Sequence, residues 1–250
     1  MSAAYPAVGQ SRRLALKKRW SRQLLSILGV HLELCGDAPV RPGLIVANHV
    51  SWLDVFAINA VAPAAFVCKD EVRAWPLIGW LCARTDTIFI TRGNRGAARR
   101  TAETLRAVLD SGEWAVVFPE GTTSEGHGVL NFFPALLQPA LDVGAPVQPF
   151  ALRYTDASGT LRLEPAYVGE TSFWECLRAI VRARGLVAQV HPLGETEADA
   201  SHRRELALLA QTRIASRLGA ASPSAPEAPD PAPPSPDAQE TQPELATSSA

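Results

Sequence analysis

What this chain has little of narrows it first. No uninterrupted apolar run of about eighteen residues occurs, and the longest candidate, residues 55–68, is broken by Asn59 and Pro63. The sequence therefore predicts no membrane-spanning helix. Nothing near the start pairs an apolar core with a small-residue cleavage site, so no signal peptide is expected. The cysteines, at 35, 68, 82 and 176, show neither CxxC pairing nor partner histidines at zinc spacing. They predict buried, reduced thiols in a cytosolic protein and no metal centre. No GxSxG elbow and no HExxH pair is present, which argues against a serine or metal-dependent hydrolase. Lysine occurs only at 17, 18 and 69 while arginine, alanine and proline are plentiful, a composition that points to a GC-rich, bacterial coding sequence. A net charge of −1 says little about partners, and no nucleic-acid partner is expected.

What is present is a substantial apolar fraction, 47%, enough for a real core. Its periodicity divides the chain into a loose end at 1–10, a basic amphipathic helix at 11–30, one large domain at 31–219 and a disordered tail at 220–250. The tail is Pro, Ala, Ser and acid, with no Lys or Arg. In the helix, Arg12, Lys18, Arg19 and Arg22 gather on one side, and Leu16, Trp20, Leu24, Ile27 and Leu28 on the other. Such a helix suits the surface of an anionic membrane. An ordinary helix packing its Leu face on the domain has the same pattern.

Short apolar runs then alternate with helical segments. Strands are predicted at 44–47, 65–68, 87–91, 114–118, 146–152, 161–168 and 186–193, the 146–152 strand at a sheet edge or bulge because of its proline. Helices are predicted at 52–61, 95–110, 132–143, 173–184 and 201–218, the last capped by Gly219. Residues 71–84, with Trp75, Trp80 and several Leu and Ile, suggest a greasy segment at a membrane or pocket. This is an α/β fold, a mostly parallel or mixed central sheet flanked by helices. Ligands in such sheets gather where strands end.

Three strand ends carry polar residues. After 44–47 comes Asn48-His49-Val50-Ser51-Trp52-Leu53-Asp54. Asp54 is near enough to accept from His49 Nδ1, which fixes the tautomer and leaves Nε2 to take a proton. No serine nucleophile stands beside the pair, so the natural proton donor is a substrate hydroxyl. A histidine capping the next helix is the plainer alternative. After 87–91, Arg92 precedes a Gly turn and is placed to hold a phosphate or carboxylate bidentately. After 114–118, Glu120, Gly121, Thr122, Thr123 and Ser124 offer a carboxylate, a flexible turn and hydroxyls suited to a polyol.

Together these blocks resemble the glycerolipid acyltransferases, the family of PlsC-like lysophosphatidate and lysophospholipid acyltransferases. His49 to Asp54 resembles its HxxxxD block, Phe89-Ile90-Thr91-Arg92 the second, Phe118-Pro119-Glu120-Gly121-Thr122 the third and Val147-Gln148-Pro149 the fourth. The resemblance spans residues 20–215. It implies the family's fold and direct transfer of a fatty acyl group from acyl-CoA or acyl-carrier protein to the hydroxyl of a lysolipid, without a covalent intermediate or a cofactor. It further implies that His49 is the base and Asp54 its orienting partner, that Arg92 binds the head group, and that Glu120, Gly121 and Thr122 position the acceptor. The expected place is the cytoplasmic face of a bacterial inner membrane, held peripherally or monotopically at the lipid surface. Lysophosphatidate-specific members usually carry Arg where this chain has Thr123. That makes another lysophospholipid or lyso-ornithine lipid a rival to 1-acylglycerol-3-phosphate. A membrane-surface binding protein without turnover is the alternative outside the enzymes.

Overall fold

The computed structural model describes residues 9–70, 79, 87–90, 95–196 and 202–220. Arg92, Cys82, most of the greasy 71–84 segment and nearly all of the 220–250 tail lie outside the described residues. Seven strands form one mixed sheet: β1 (Val30–Leu34), β2 (Leu44–Ala47), β3 (Ala65–Lys69), β4 (Ile88–Ile90), β5 (Ala115–Val117), β6 (Val147–Thr155) and β7 (Leu186–Pro192). Their order is β1-β7-β6-β2-β5-β3-β4. β6, β2, β5, β3 and β4 run parallel, β7 is antiparallel to β6, and β1 follows β7 in parallel. The α/β fold with helices on a mixed central sheet is thus the one the sequence pattern predicts.

The core is two-sided because β2 and β5 are buried on both faces. Ile45 and Ala47 point into a cluster covered by α1 (Gln10–Ile27), α2 (Asp54–Val61) and, later in the chain, the helix Phe173–Arg182. Leu44 and Val46 point the other way. There they meet α3 (Arg95–Asp110), α4 (Gln138–Val143) and the last helix, Arg203–Leu218. Numbered in order, these two later helices are α5 and α6. Each buried Leu, Ile or Val contributes about 1.5–3 kcal/mol by leaving water, and the two faces together hold β2 rigid.

Gly43 sets where β2 enters the sheet. A Cβ there would lie 2.3 Å from the Pro146 carbonyl oxygen, a backbone atom fixed by its bond from the Leu44 N–H at 2.8 Å. Gly43→Ala is therefore expected to destabilise the fold by about 1–3 kcal/mol, the usual cost of forcing extra volume into a packed site. Denaturant unfolding that leaves the midpoint unchanged would contradict this.

Five expectations need correcting. β6 is an interior strand between β2 and β7, not an edge. Its Pro149 is tolerated because the antiparallel ladder begins only at Phe150, and the Pro149 carbonyl accepts from Leu193 N–H at 3.0 Å. Residues 161–168 make one bridge, Leu161 to Thr155, and then turn. Pro165 has no donor for a ladder, and Ala166 N–H bonds back to Leu163. Residues 132–143 are a 3₁₀ turn (Pro134–Leu137) followed by α4, since Pro134 and Pro139 break a continuous helix. Helix α2 starts at Asp54, not Trp52. Of the described cysteines only Cys176 is buried.

Helix α1 packs on α2. Leu25 and Leu28 are buried, Trp20 meets the Phe56 ring edge-on at 5.3 Å, and the buried Lys17 ammonium donates to the Ala64 carbonyl at 3.1 Å. Arg22 reaches back to donate to the Ala60 carbonyl of α2 at 3.1 Å, while Arg12, Arg19 and Ile27 are exposed.

Candidate active site

Parallel pairing of β2 with β5 places Val46 beside Val117, so the two strands release their next residues at one edge. The His49 block and the Glu120 loop therefore meet. Asn48, fully buried, continues the ladder with its side chain, donating to the Leu152 carbonyl (3.0 Å) and accepting from the Leu152 N–H (2.7 Å). It ties the end of β2 to β6 where the backbone itself turns away.

His49 Nδ1 lies 2.8 Å from Asp54 Oδ2. An ionised carboxylate can only accept, so Nδ1 carries the hydrogen and Nε2 is the basic nitrogen. The same Oδ2 accepts from the N–H groups of Val50 (2.8 Å) and Ser51 (2.9 Å), and Oδ1 accepts from the Tyr154 hydroxyl (2.7 Å). Asp54 is wholly buried, and these donors together with its place at the start of α2 compensate the loss of water around its charge. The ring of His49 is stacked on Phe118, centroids 4.0 Å apart and planes 13° off parallel, and its side chain is 21% exposed. The imidazole is fixed in orientation while one edge stays open.

The Glu120 loop grips the same residue through its backbone. His49 N–H donates to Glu120 Oε1 at 3.2 Å, and the His49 carbonyl accepts from Ser124 N–H at 2.8 Å. Gly121, at φ +67°, makes the turn back after β5, its N–H bonded to the Phe118 carbonyl at 3.1 Å. Burial pushes the Glu120 carboxyl from 4.5 up to about 8, against the pull of backbone donors from His49 and Leu130. Its Oε2 is buried and makes no hydrogen bond among the described residues. Thr122 is exposed at the rim, and Thr123 donates its hydroxyl to the Tyr167 carbonyl.

His49, Asp54, Glu120 and Gly121 are thus brought together as the sequence blocks predict, and Thr122 borders them. Arg92 lies outside the described residues. Among the described residues no serine hydroxyl bonds the imidazole: Ser51 Oγ accepts from Leu53 N–H (3.3 Å), and Ser124 Oγ faces the His49 carbonyl (3.4 Å).

Residues 33–153 match the family described as Acyltransferase. A lyso-ornithine lipid O-acyltransferase of Pseudomonas aeruginosa is 35% identical over 85% of this chain and 82% of its own. The chain belongs to the acyltransferase family. A 1-acyl-sn-glycerol-3-phosphate acyltransferase of Neisseria meningitidis serogroup B is similar at 39% identity, over 68% of this acyltransferase and 67% of that protein. The crystal structure of the LPA acyltransferase PlsC from Thermotoga maritima shares the fold, with a TM-score of 0.60 at 23% identity, covering 83% of this chain and 78% of that one.

Three groups that shape the site of this acyltransferase escape sequence reading. Tyr154 meets Asp54 across 100 residues and Asn48 meets Leu152 across 104, and no local pattern announces either contact. The Phe118 stack has a signal only in retrospect: it is the residue in register after Val117, opposite the turn that follows β2.

Proposed function

We propose that this acyltransferase moves a fatty acyl group from a thioester donor, acyl-CoA or acyl-carrier protein, to the free hydroxyl of a lysolipid. His49 takes the hydroxyl proton on Nε2 as the oxygen attacks the thioester carbonyl. The tetrahedral intermediate collapses, the C–S bond breaks, and the imidazolium returns its proton to the departing sulfur. Asp54 holds the imidazole in the required tautomer and balances its transient charge. The observation that carries this reading is the Nδ1–Oδ2 contact of 2.8 Å in a site whose serine hydroxyls are engaged elsewhere. The acceptor itself is then the nucleophile.

Lyso-ornithine lipid is the acceptor the loop chemistry favours. The loop from Glu120 to Gly126 contains no Lys or Arg and carries the exposed acid Glu125, while burial keeps Glu120 protonated up to about pH 8, and Thr123 is occupied with the Tyr167 carbonyl. A phosphomonoester dianion gains little there, whereas an acceptor bearing an ammonium does. The similarity to the Pseudomonas aeruginosa protein, over most of both chains, points the same way. The outward arginines of α1 and its exposed Ile27 suit contact with an anionic leaflet, where a lysolipid resides.

The test is an acceptor panel with product lipids resolved, using acyl-CoA and acyl-carrier protein as donors. Acylated lyso-ornithine lipid is expected at a kcat/KM roughly tenfold to a hundredfold above that for lysophosphatidate, the worth of one missing charge-assisted contact. The reverse preference would overturn the acceptor and keep the reaction. Thiol release without any acylated lipid would overturn the reaction.

A further inference from the structure

Asp54 is held at both oxygens, and the two are served differently. Oδ2 takes the imidazole and two backbone N–H groups of its own turn. On Oδ1 the Tyr154 hydroxyl, at 2.7 Å, is the sole donor among the described residues. A carboxylate anchored at one oxygen can still rotate about its Cβ–Cγ bond, whereas one anchored at both has a fixed plane. That plane decides whether a lone pair of Oδ2 points along the Nδ1–H bond.

Tyr154 is well placed to act as such an anchor. It is 2% exposed, on β6 between β2 and β7, so neither its backbone nor its ring has room to move. Two residues earlier on the same face, Leu152 receives the Asn48 side chain. β6 therefore grips the block on both sides of His49. A phenylalanine would fill the same volume in the core, so the hydroxyl is what requires an explanation, and Asp54 is its partner.

We propose that Tyr154 is a positioning residue for acyl transfer: its hydroxyl locks the Asp54 carboxylate so that Oδ2 orients His49. The proposal rests on His49 acting as the base. The titratable groups around Asp54 are His49 on its own turn, Glu120 after β5, Tyr154 on β6 and Cys176 on α5. Burial, then the Asp54 charge, raises the Tyr154 phenol well above its usual range, and burial raises the Cys176 thiol. Both remain neutral hydrogen-bonding groups across the working range.

The experiment compares the full chain with Tyr154→Phe, and with His49→Ala in parallel. In Tyr154→Phe, kcat is expected to fall by roughly tenfold to a hundredfold, with KM for donor and acceptor changed less than about threefold. Removing a donor concentrates charge on the carboxylate, which favours the imidazolium, so the acid limb should move up by about half to one pH unit. Placing 3,5-difluorotyrosine at position 154 strengthens the donor without changing the shape of the core, and should move the limb down. It also provides the test if Tyr154→Phe does not fold. A folded Tyr154→Phe protein with normal kcat and an unmoved acid limb, or a limb that ignores fluorination, would overturn the proposal and leave the hydroxyl a packing detail. Full activity in His49→Ala would instead overturn the base assignment beneath it.

Discussion

His49→Ala is expected to lower kcat/KM for lysolipid acylation by about a thousandfold to ten-thousandfold, the upper range for a positioned general base. The loss should appear in kcat, because the imidazole acts on a proton in flight and contributes little to ground-state binding. The fold should survive. The His49 side chain is one-fifth exposed, and its backbone contacts with Glu120 and Ser124 do not involve the ring. Asp54 keeps its bonds to Val50, Ser51 and Tyr154, so its buried charge is not stranded. Product-resolved kinetics beside circular dichroism decide the matter. A folded variant within tenfold of the parent would remove His49 from the chemistry.

Glu120→Gln should separate stability from function. The Glu120 carboxyl titrates near 8 in the fold against its ordinary 4.5, so the direction of the pH effect is fixed. Below about 4.5 both states are neutral and the fold suffers no penalty. As pH rises, the unfolded chain gives up its proton while the fold retains it, so stability declines until the folded carboxyl ionises near 8. Glutamine is neutral throughout and can still accept from His49 N–H. The variant should match the parent near pH 5 and exceed it by on the order of 2–4 kcal/mol at pH 8.5. Acylation should fall, because the family resemblance assigns Glu120 to positioning the acceptor. Denaturant curves at the two pH values check the first half, and a gap independent of pH would refute it.

The site is legible in the sequence where chemistry and chain order coincide. Leu44-Ile45-Val46-Ala47 is buried on both faces, so it appears as an unbroken apolar run, and polar residues directly after such a run mark the strand's carboxyl end. The same reasoning locates Glu120 after β5. It fails where the signal is tertiary. β1 gives no such signal because Val30–Leu34 mixes His and Glu into a strand with only its first residue buried. Residues 161–168 alternate like a strand, yet their backbone is committed to turns and to the Val50 carbonyl, which accepts from Tyr167 N–H at 3.0 Å. In α1 the apolar stripe is plain in the sequence, but periodicity does not reveal what covers a stripe. Here much of it is covered by α2, and of the cations Arg12 and Arg19 face outward while Lys17 and Arg22 reach to carbonyls at and just beyond α2.

The long reach of β6 has a consequence for how the enzyme is born. Synthesis delivers His49 and Asp54 early, but the Tyr154 hydroxyl that closes Asp54's shell is encoded 100 residues later. The Gln189 to Glu33 bond on the β1–β7 pair spans 156. Until β6 leaves the ribosome, β2 has an open edge and the aspartate lacks a donor. Non-local pairing of this kind is slow to form and exposes apolar strand surface while it waits. A nascent chain therefore carries the block from His49 to Asp54 long before it has the geometry of the folded site, and in that interval the apolar edge of β2 stands uncovered.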